Sequence, residues 1–244
     1  IWIKQVCFWG TAFCLLGFPV AVLGYRMGWL TLELSFNIII ATFVASCLLL
    51  VCASFICLVG FWQANIKLLK MGGIICLLLL LPVGGLLTQL VKGKALPKIH
   101  DITTDWHQPP QFQAVPHLRK PTDNALEYPG EEVFKLQDIS YPNIAPLETA
   151  KSVQENLRIA IELAAELGWD VIATDKASGT LEAVDTTLLW GFKDDIAIRV
   201  TETDRGSRID LRSVSRVGLS DLGANAKRIT AFIELYQSRY PSDS

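Results

Sequence analysis

WGFKDDIAIRVTETDRGSRIDLRSVSRVGLSDLGANAKR, residues Trp190 to Arg228, is the stretch that decides the fold of this chain. Apolar and polar residues alternate from Ile196 to Val200 and again from Ile209 to Leu211, on either side of the turn-forming sequence DRGS. This alternation is typical of an antiparallel hairpin with one buried face. A final helix follows, with Ser220 as its N-cap and an apolar stripe formed by Leu222, Ala226, Ile229, Ile233 and Tyr236.

The sequence before the hairpin supplies one more helix and two more strands. Apolar residues recur at helical spacing from Val153 to Leu167, with Thr149 as the N-cap and Gly168 just past the end. Strands are expected at residues 170–174 and 180–187. We therefore expect residues 147–244 to form a two-layer α+β domain, in which two helices pack on an antiparallel four-stranded sheet.

Three runs near the N-terminus are long and apolar enough to span a bilayer: Val6–Tyr25, Ile38–Trp62 and Met71–Val91. None contains a charged residue, and because charged groups inside a membrane usually mark ion or proton paths, the runs argue against a transporter or pump. We expect residues 1–94 to be a three-helix transmembrane anchor, so that the whole is a membrane-anchored α+β protein. All six cysteines lie in this part and are interpreted as packing residues.

Charge is divided unevenly along the chain. Residues 1–94 carry six basic and one acidic residue, net +5, whereas the remainder carries sixteen basic and twenty-three acidic residues, net −7. An acidic domain argues against nucleic acid as a partner, since phosphate binding needs clustered cations. Lys67 and Lys70 lie on the same side as Lys4, whereas Glu33 balances the other connection, so the positive-inside rule places the C-terminal part outside the cytoplasm. Three lysines after the third run oppose this orientation: Lys92, Lys94 and Lys98.

Residues 95–146 have no periodicity and contain eight of the eleven prolines. Proline fixes φ and lacks an N–H donor, so this segment is predicted to be an extended arm. It is either disordered or an ordered strap against the domain. The strap is favoured because the arm contains many apolar anchors: Ile99, Ile102, Trp106, Phe112, Tyr128, Phe134 and Tyr141.

No catalytic, cofactor or metal site is predicted. The three histidines, His100, His107 and His117, all lie in the arm, at spacings that match no closed ligand pattern. The sequence also lacks a nucleophile elbow, a phosphate loop and any cysteine after residue 94. An unrecognised hydrolase would need an arm histidine to meet a carboxylate of the domain.

The best candidate for ligand binding is a polar set around the start of the last helix: Arg212, Arg216, Ser220, Asn225 and Arg228. Arginines beside a helix N-terminus can hold an anion such as a phosphate. The alternative is that Asp221 forms an internal ion pair with Arg216 or Arg228 and braces the turn into the helix.

A second candidate surface is apolar. Leu188, Leu189, Trp190 and Phe192 lie in a strand connection, where they form either a contact for lipid or protein or a second small core.

Several motifs resemble one known family. They are Ile99–Asp105 with Pro109–Pro110, Glu127–Gly130, Trp190–Asp195, Ser213–Gly218 and Ser220–Ala226, together with Gly24–Trp29 in the apolar part. They resemble the bacterial and plastid family called domain of unknown function 1499, over Pro97 to about Tyr236. The resemblance implies no established activity. It implies an exported domain, in the periplasm or the equivalent thylakoid lumen, although the second loop here is less basic than in many three-helix members.

We therefore expect a multi-pass protein of the bacterial inner membrane, with a periplasmic C-terminal domain. The favoured function is that of a non-enzymatic accessory or assembly protein that presents this domain to a larger membrane complex. Its expected partners are membrane lipids and other integral membrane subunits. The alternative is a binding module for an anionic lipid or small anion at the N-terminus of the last helix.

Overall fold

The computed structural model of the protein describes residues 2–241, with side chains from residue 5 onward. Lys4, which the orientation prediction uses, therefore has a side chain outside the described part. The chain divides into two compact units, Ile1–Lys94 and Ala95–Ser244. The proline-rich arm belongs to the second unit.

The first unit consists of three helices, α1 (Trp2–Arg26), α2 (Leu32–Trp62) and α3 (Ile66–Ala95). All three are long and apolar enough to cross a membrane. Thr31 caps α2 by accepting a hydrogen bond from the N–H of Leu34. Gly72 of α3 lies so close to α2 that a Cβ there would fall 2.6 Å from Sγ of Cys57, so the helices pack through a position where a larger residue would collide.

The predicted four-stranded meander is present in the second unit. It comprises β3 (Asp170–Asp175), β4 (Thr180–Thr186), β5 (Lys193–Thr203) and β6 (Gly206–Ser215), and each strand is antiparallel to the next. The hairpin turns at Asp204 and Arg205, as the sequence predicted.

The sheet nevertheless has six strands, so the prediction of four was wrong. Two short strands, β1 (Asp101–Thr103) and β2 (Leu147–Thr149), both pair antiparallel with β6. The main order is β1-β6-β5-β4-β3, and β2 pairs with the other half of β6. The extra strands have three residues each, too few for alternation to reveal them.

Three helices and one 3-10 helix complete the unit: α4 (Glu131–Ser140), α5 (Val153–Glu166), α6 (Ala224–Arg239) and the 3-10 helix Val115–Leu118. The N-cap of α5 is Ser152, because Thr149, the predicted cap, is the last residue of β2. Gly168 follows the end of α5 as predicted. The last helix begins at Ala224 and not at Ser220, since Leu222 and Gly223 have φ of 53° and 81°, outside the helical region.

The two faces of the sheet have different coverings. On one face, α5 and α6 pack over a core that includes Leu163, Ile196, Leu211, Ile229 and Phe232. Side chains on the other face bond to arm residues between Asp105 and Leu126. The arm is therefore an ordered third layer, as the strap interpretation predicted.

Candidate functional site

The arm-covered face of the sheet carries a row of buried charges. Its central member is Arg212, which is fully buried and pairs with Asp101 through two hydrogen bonds, Nε to Oδ1 at 3.1 Å and Nη2 to Oδ2 at 2.7 Å. The same guanidinium donates to the carbonyl oxygens of Pro110 and Leu126 and lies 5.5 Å from the ring centre of Tyr128. Burial raises the pKa of Asp101, and the hydrogen bond and charge of Arg212 oppose that shift. Arg212 thus donates four hydrogen bonds to groups of its own chain.

Asp195 holds the next pair of arginines. Its carboxylate accepts hydrogen bonds from Nε and Nη2 of Arg216, the latter at 2.7 Å, and it also pairs with Arg119 of the arm. Arg216 further donates to the carbonyl oxygen of Leu118 at 3.1 Å. The carboxylate of Asp195 on β5 therefore joins the arginine that follows β6 to an arginine of the arm.

A third cluster lies toward the hairpin turn. Arg199 donates 3.0 Å hydrogen bonds to Asp105 of the arm and to Asp210 of β6, and Arg208 donates to Asp210 at 2.9 Å. Burial alone would raise the pKa of Asp105, but a hydrogen bond from the N–H of Gln108 and the charges of Arg208 and Arg199 lower it overall. These charges are again neutralised within the chain.

The carboxylate of Glu182 occupies a backbone anion site. It accepts hydrogen bonds of 2.8–3.1 Å from the N–H groups of Gln113, Ala114 and Val115, where the arm enters its 3-10 helix. Successive N–H groups of this kind form a concavity that suits a negative charge. Here the chain fills the concavity with its own side chain.

At the N-terminus of α6, a carboxylate of the chain likewise accepts hydrogen bonds from backbone N–H groups. Asp221 accepts hydrogen bonds of 2.8 Å from the N–H groups of Gly223 and Asn225, and it makes no ion pair with Arg216 or Arg228 among the described residues. The predicted ion-pair brace was therefore wrong, and Asp221 is instead a capping residue. Burial, with a smaller contribution from the charge of Asp194, raises its pKa.

The five predicted ligand-binding residues do not converge on one place. Arg212 and Arg216 lie on the arm-covered face, whereas Asn225 and Arg228 lie on the helix-covered side. Asn225 bonds to Ser213, Ser215 and the carbonyl oxygen of His100, and Arg228 pairs with Asp185 and Asp194. Ser220 donates to the carbonyl oxygen of Pro97 at 3.1 Å. The sheet separates the two halves of the predicted set.

A shallow groove of about 300 Å³ remains beside α6, and the sequence did not indicate it. Its lining includes Trp169, Asp185, Lys227 and Arg228. Arg228 is already paired with the two aspartates, so the charge that lies free in the groove is that of Lys227, which makes no ion pair within residues 2–241. The groove therefore holds the ammonium group of Lys227 and the ring of Trp169 beside the ion pair of Arg228 and Asp185.

The predicted apolar surface is partly exposed. The side chains of Leu188 and Leu189 are 89% and 54% accessible, whereas Trp190 and Phe192 are half-buried and stack with ring centres 5.4 Å apart. Trp190 and Phe192 therefore pack against the domain with one part of each side chain and expose the other part.

Two further leucines lie at the same end of the sheet. Leu219 and Leu222, 80% and 55% exposed, follow β6 in a connection whose start is joined to β5 by the hydrogen bond from Arg216 N to Lys193 O. Leu222 was predicted to face the core, and this was wrong because it precedes the helix. We call Leu188, Leu189, Leu219 and Leu222 the leucine rim.

The arm histidines are spread along the arm. His107 lies against Trp106 with ring centres 3.7 Å apart, and Nδ1 of His100 is buried without a hydrogen bond. Across residues 2–241, no three His, Cys, Asp or Glu side chains are grouped as metal ligands would be.

A comparison with protein families gives a match for this chain. Residues 101–235, more than half of the chain, match the model of a family described as protein of unknown function (DUF1499). The match begins at β1 in the arm and ends within α6. No curated protein matches the chain.

Proposed function

The chain belongs to the DUF1499 family of proteins of unknown function, and we propose that it is a non-enzymatic accessory or assembly protein of a larger membrane protein complex. The three apolar helices anchor it in the bacterial inner membrane, and the α+β domain lies in the periplasm or its thylakoid equivalent. The leucine rim is the surface that contacts an integral membrane subunit.

The leucine rim is the observation that carries this proposal. Four exposed leucines lie at one end of the sheet in a small acidic domain, and exposed apolar residues grouped at one place are typical of protein contacts. Trp190 and Phe192 stack beside it and supply the large aromatic groups common at the centres of interfaces.

The arm-covered face supports a structural role for the charged residues. Arg212, Arg216 and Arg199 are each bound to carboxylates of the same chain, beneath a layer of backbone. Such a face stabilises one arrangement of arm and sheet and offers few free groups for a substrate. It supports a rigid platform better than an enzyme.

The alternative, an anion-binding module at the start of α6, has less support. Asp221 already accepts from the N–H groups that an anion would use. An entering phosphate would have to displace a partly buried carboxylate that carries the same sign of charge.

Site-specific crosslinking in native membranes tests the accessory function. A photoreactive residue at position 188 or 219 should give products heavier than the chain that contain a second integral membrane protein. The control is position 205, an exposed site at the opposite end of the β5–β6 hairpin. Crosslinks to lipid alone, or the same protein products from position 205, would refute the proposed contact.

Substitution of the rim gives an independent measurement. Leu188→Asp should reduce co-purification of the partner at least tenfold without lowering the melting temperature, because this residue is 89% exposed. Ile139→Asp, at an apolar residue of α4 that is 80% exposed, is the matched control and should leave co-purification unchanged. Equal loss in both variants would mean that general surface apolarity, and not the rim, holds the partner.

A further inference from the structure

A groove runs along the helices of the first unit. It encloses about 740 Å³ and is lined by residues of α1 and α3. Its lining on α3 extends from Lys67 to Leu78, which at 1.5 Å per residue is a length of about 16 Å. The cavity is therefore long and narrow.

The two ends of the groove differ in chemistry. Lys67 and Lys70 lie at one end, and Leu15, Ile74 and Leu78 lie toward the other. The two lysines are three residues apart, so they are neighbours on one side of the helix. The groove thus has a cationic head and an apolar body.

The head of the groove carries the positive charges of Lys67 and Lys70. Neither lysine makes an ion pair within the described residues. The only acidic residue before position 95 is Glu33, in the first turn of α2, whereas α3 begins just after the last turn of α2. A full helix length separates that carboxylate from the lysines.

We propose that this groove binds one anionic phospholipid of the surrounding bilayer, an inference that rests on the membrane anchoring in the proposed function. The head-group phosphate lies between Lys67 and Lys70, and an acyl chain follows Phe8, Leu15, Ile74 and Leu78. A free inorganic anion would use only the lysines and leave the apolar length unfilled. In the orientation proposed above the lysines face the cytoplasmic leaflet, where anionic lipids attract basic groups beside membrane helices.

Native mass spectrometry of the full chain in detergent is the test, with phosphatidylglycerol and phosphatidylcholine of identical acyl chains as probes. Wild type should retain phosphatidylglycerol preferentially. Lys67→Gln with Lys70→Gln should weaken its binding about 25-fold, because each lysine near an anionic lipid contributes about a fivefold factor. Lys92→Gln with Lys94→Gln, in the last turn of the same helix, is the charge-matched control and should have no effect.

The apolar body is tested separately. Ala12→Phe fills the groove from α1 without altering a charge, and it should reduce lipid retention at least tenfold, whereas Ala41→Phe on an exposed side of α2 should not. Helical circular dichroism and the elution volume of each variant confirm that the helices still assemble.

Three outcomes would overturn the lipid site. They are equal retention of both lipids by wild type, unchanged retention in both groove variants, and displacement of the lipid by millimolar inorganic phosphate. The rim crosslinks do not involve this groove, so failure here and failure of the accessory function are distinguishable.

Discussion

Arg212 and Asp101 show how this domain uses charge at the level of the residue. Both side chains are buried, and the pair is bidentate. Such a pair adds little net stability compared with an apolar substitute, but removal of one partner leaves a buried charge without compensation. We therefore expect the pair to fix the position of the arm on β6, and to contribute little to the net stability of the fold.

We predict that Asp101→Ala lowers the free energy of unfolding by about 3–5 kcal/mol, the usual effect of breaking a buried ion pair. Glu131→Ala, which breaks the exposed pair with Lys135 on α4, should cost about 0.5 kcal/mol or less. Urea unfolding of the two variants measures the difference. A loss below about 1 kcal/mol for Asp101→Ala would show that water reaches Arg212.

Asp105 gives a pH-dependent prediction. Its pKa in the folded protein lies below the ordinary value of 3.8, so the unfolded chain binds the proton more readily. Its stabilising contribution is therefore fully present above about pH 4 and is lost as the pH falls through the folded pKa. Asp105→Asn should be less stable than wild type at pH 6, and the difference should shrink at pH 3.

Urea unfolding at the two pH values measures this change, with Asp138→Asn, an exposed carboxylate of α4, as the control. A difference for Asp105→Asn that is the same at both pH values would contradict the ionic role of this carboxylate.

The sequence could place these residues on strands but could not show what covers them. Arg212 follows Leu211 in the strand and so lies on the opposite face, where an arginine is ordinarily exposed to water. The covering comes from Pro110 and Leu126, about a hundred residues earlier, in a segment without periodicity. For the same reason, sequence spacing grouped Arg212 with Arg228 although the sheet lies between them.

At the level of the element, β6 has more partners than a hairpin strand needs. It pairs with β5 along its full length, with β2 near its start and with β1 near its end. The meander was predictable because its strands are six to eleven residues long and joined by recognisable turns. The short strands β1 and β2 depend on pairing with the distant β6, which no local pattern encodes.

A fragment that begins at residue 147 should therefore fail to fold, whereas a fragment of residues 95–241 should unfold cooperatively. The shorter fragment lacks β1, and it leaves Arg212, Arg216 and Asp195 without their arm partners. Near-ultraviolet circular dichroism and proteolysis of the two fragments measure the difference. A protease-resistant, cooperative 147–241 fragment would show that the arm is dispensable.

At the level of the whole molecule, the division of charge and of cysteines follows the two compact units. Residues 1–94 are apolar and net basic and contain every cysteine, whereas the acidic remainder contains none. This distribution permits a test of the proposed orientation with a single introduced thiol.

In a variant with all six cysteines changed to alanine, Arg205→Cys should react with a membrane-impermeant maleimide in intact spheroplasts. The position is in the exposed turn between β5 and β6, so the thiol is accessible once the reagent reaches it. Gln63→Cys, in the exposed connection between α2 and α3, is the control for the other side and should react only after lysis. The reverse pattern would place the domain in the cytoplasm.

The long-range pairing of β1 with β6 also sets an order in time. Asp101 pairs with Val214, so the arm is synthesised first and its partner strand more than a hundred residues later. At a synthesis rate of about 5–20 residues per second, roughly 5–20 s pass between synthesis of the arm and synthesis of β6. Throughout that interval β6 does not cover Ile102, and Asp101 lacks its ion-pair partner Arg212. The arm is thus the first part of the domain to be synthesised and among the last to form its native contacts.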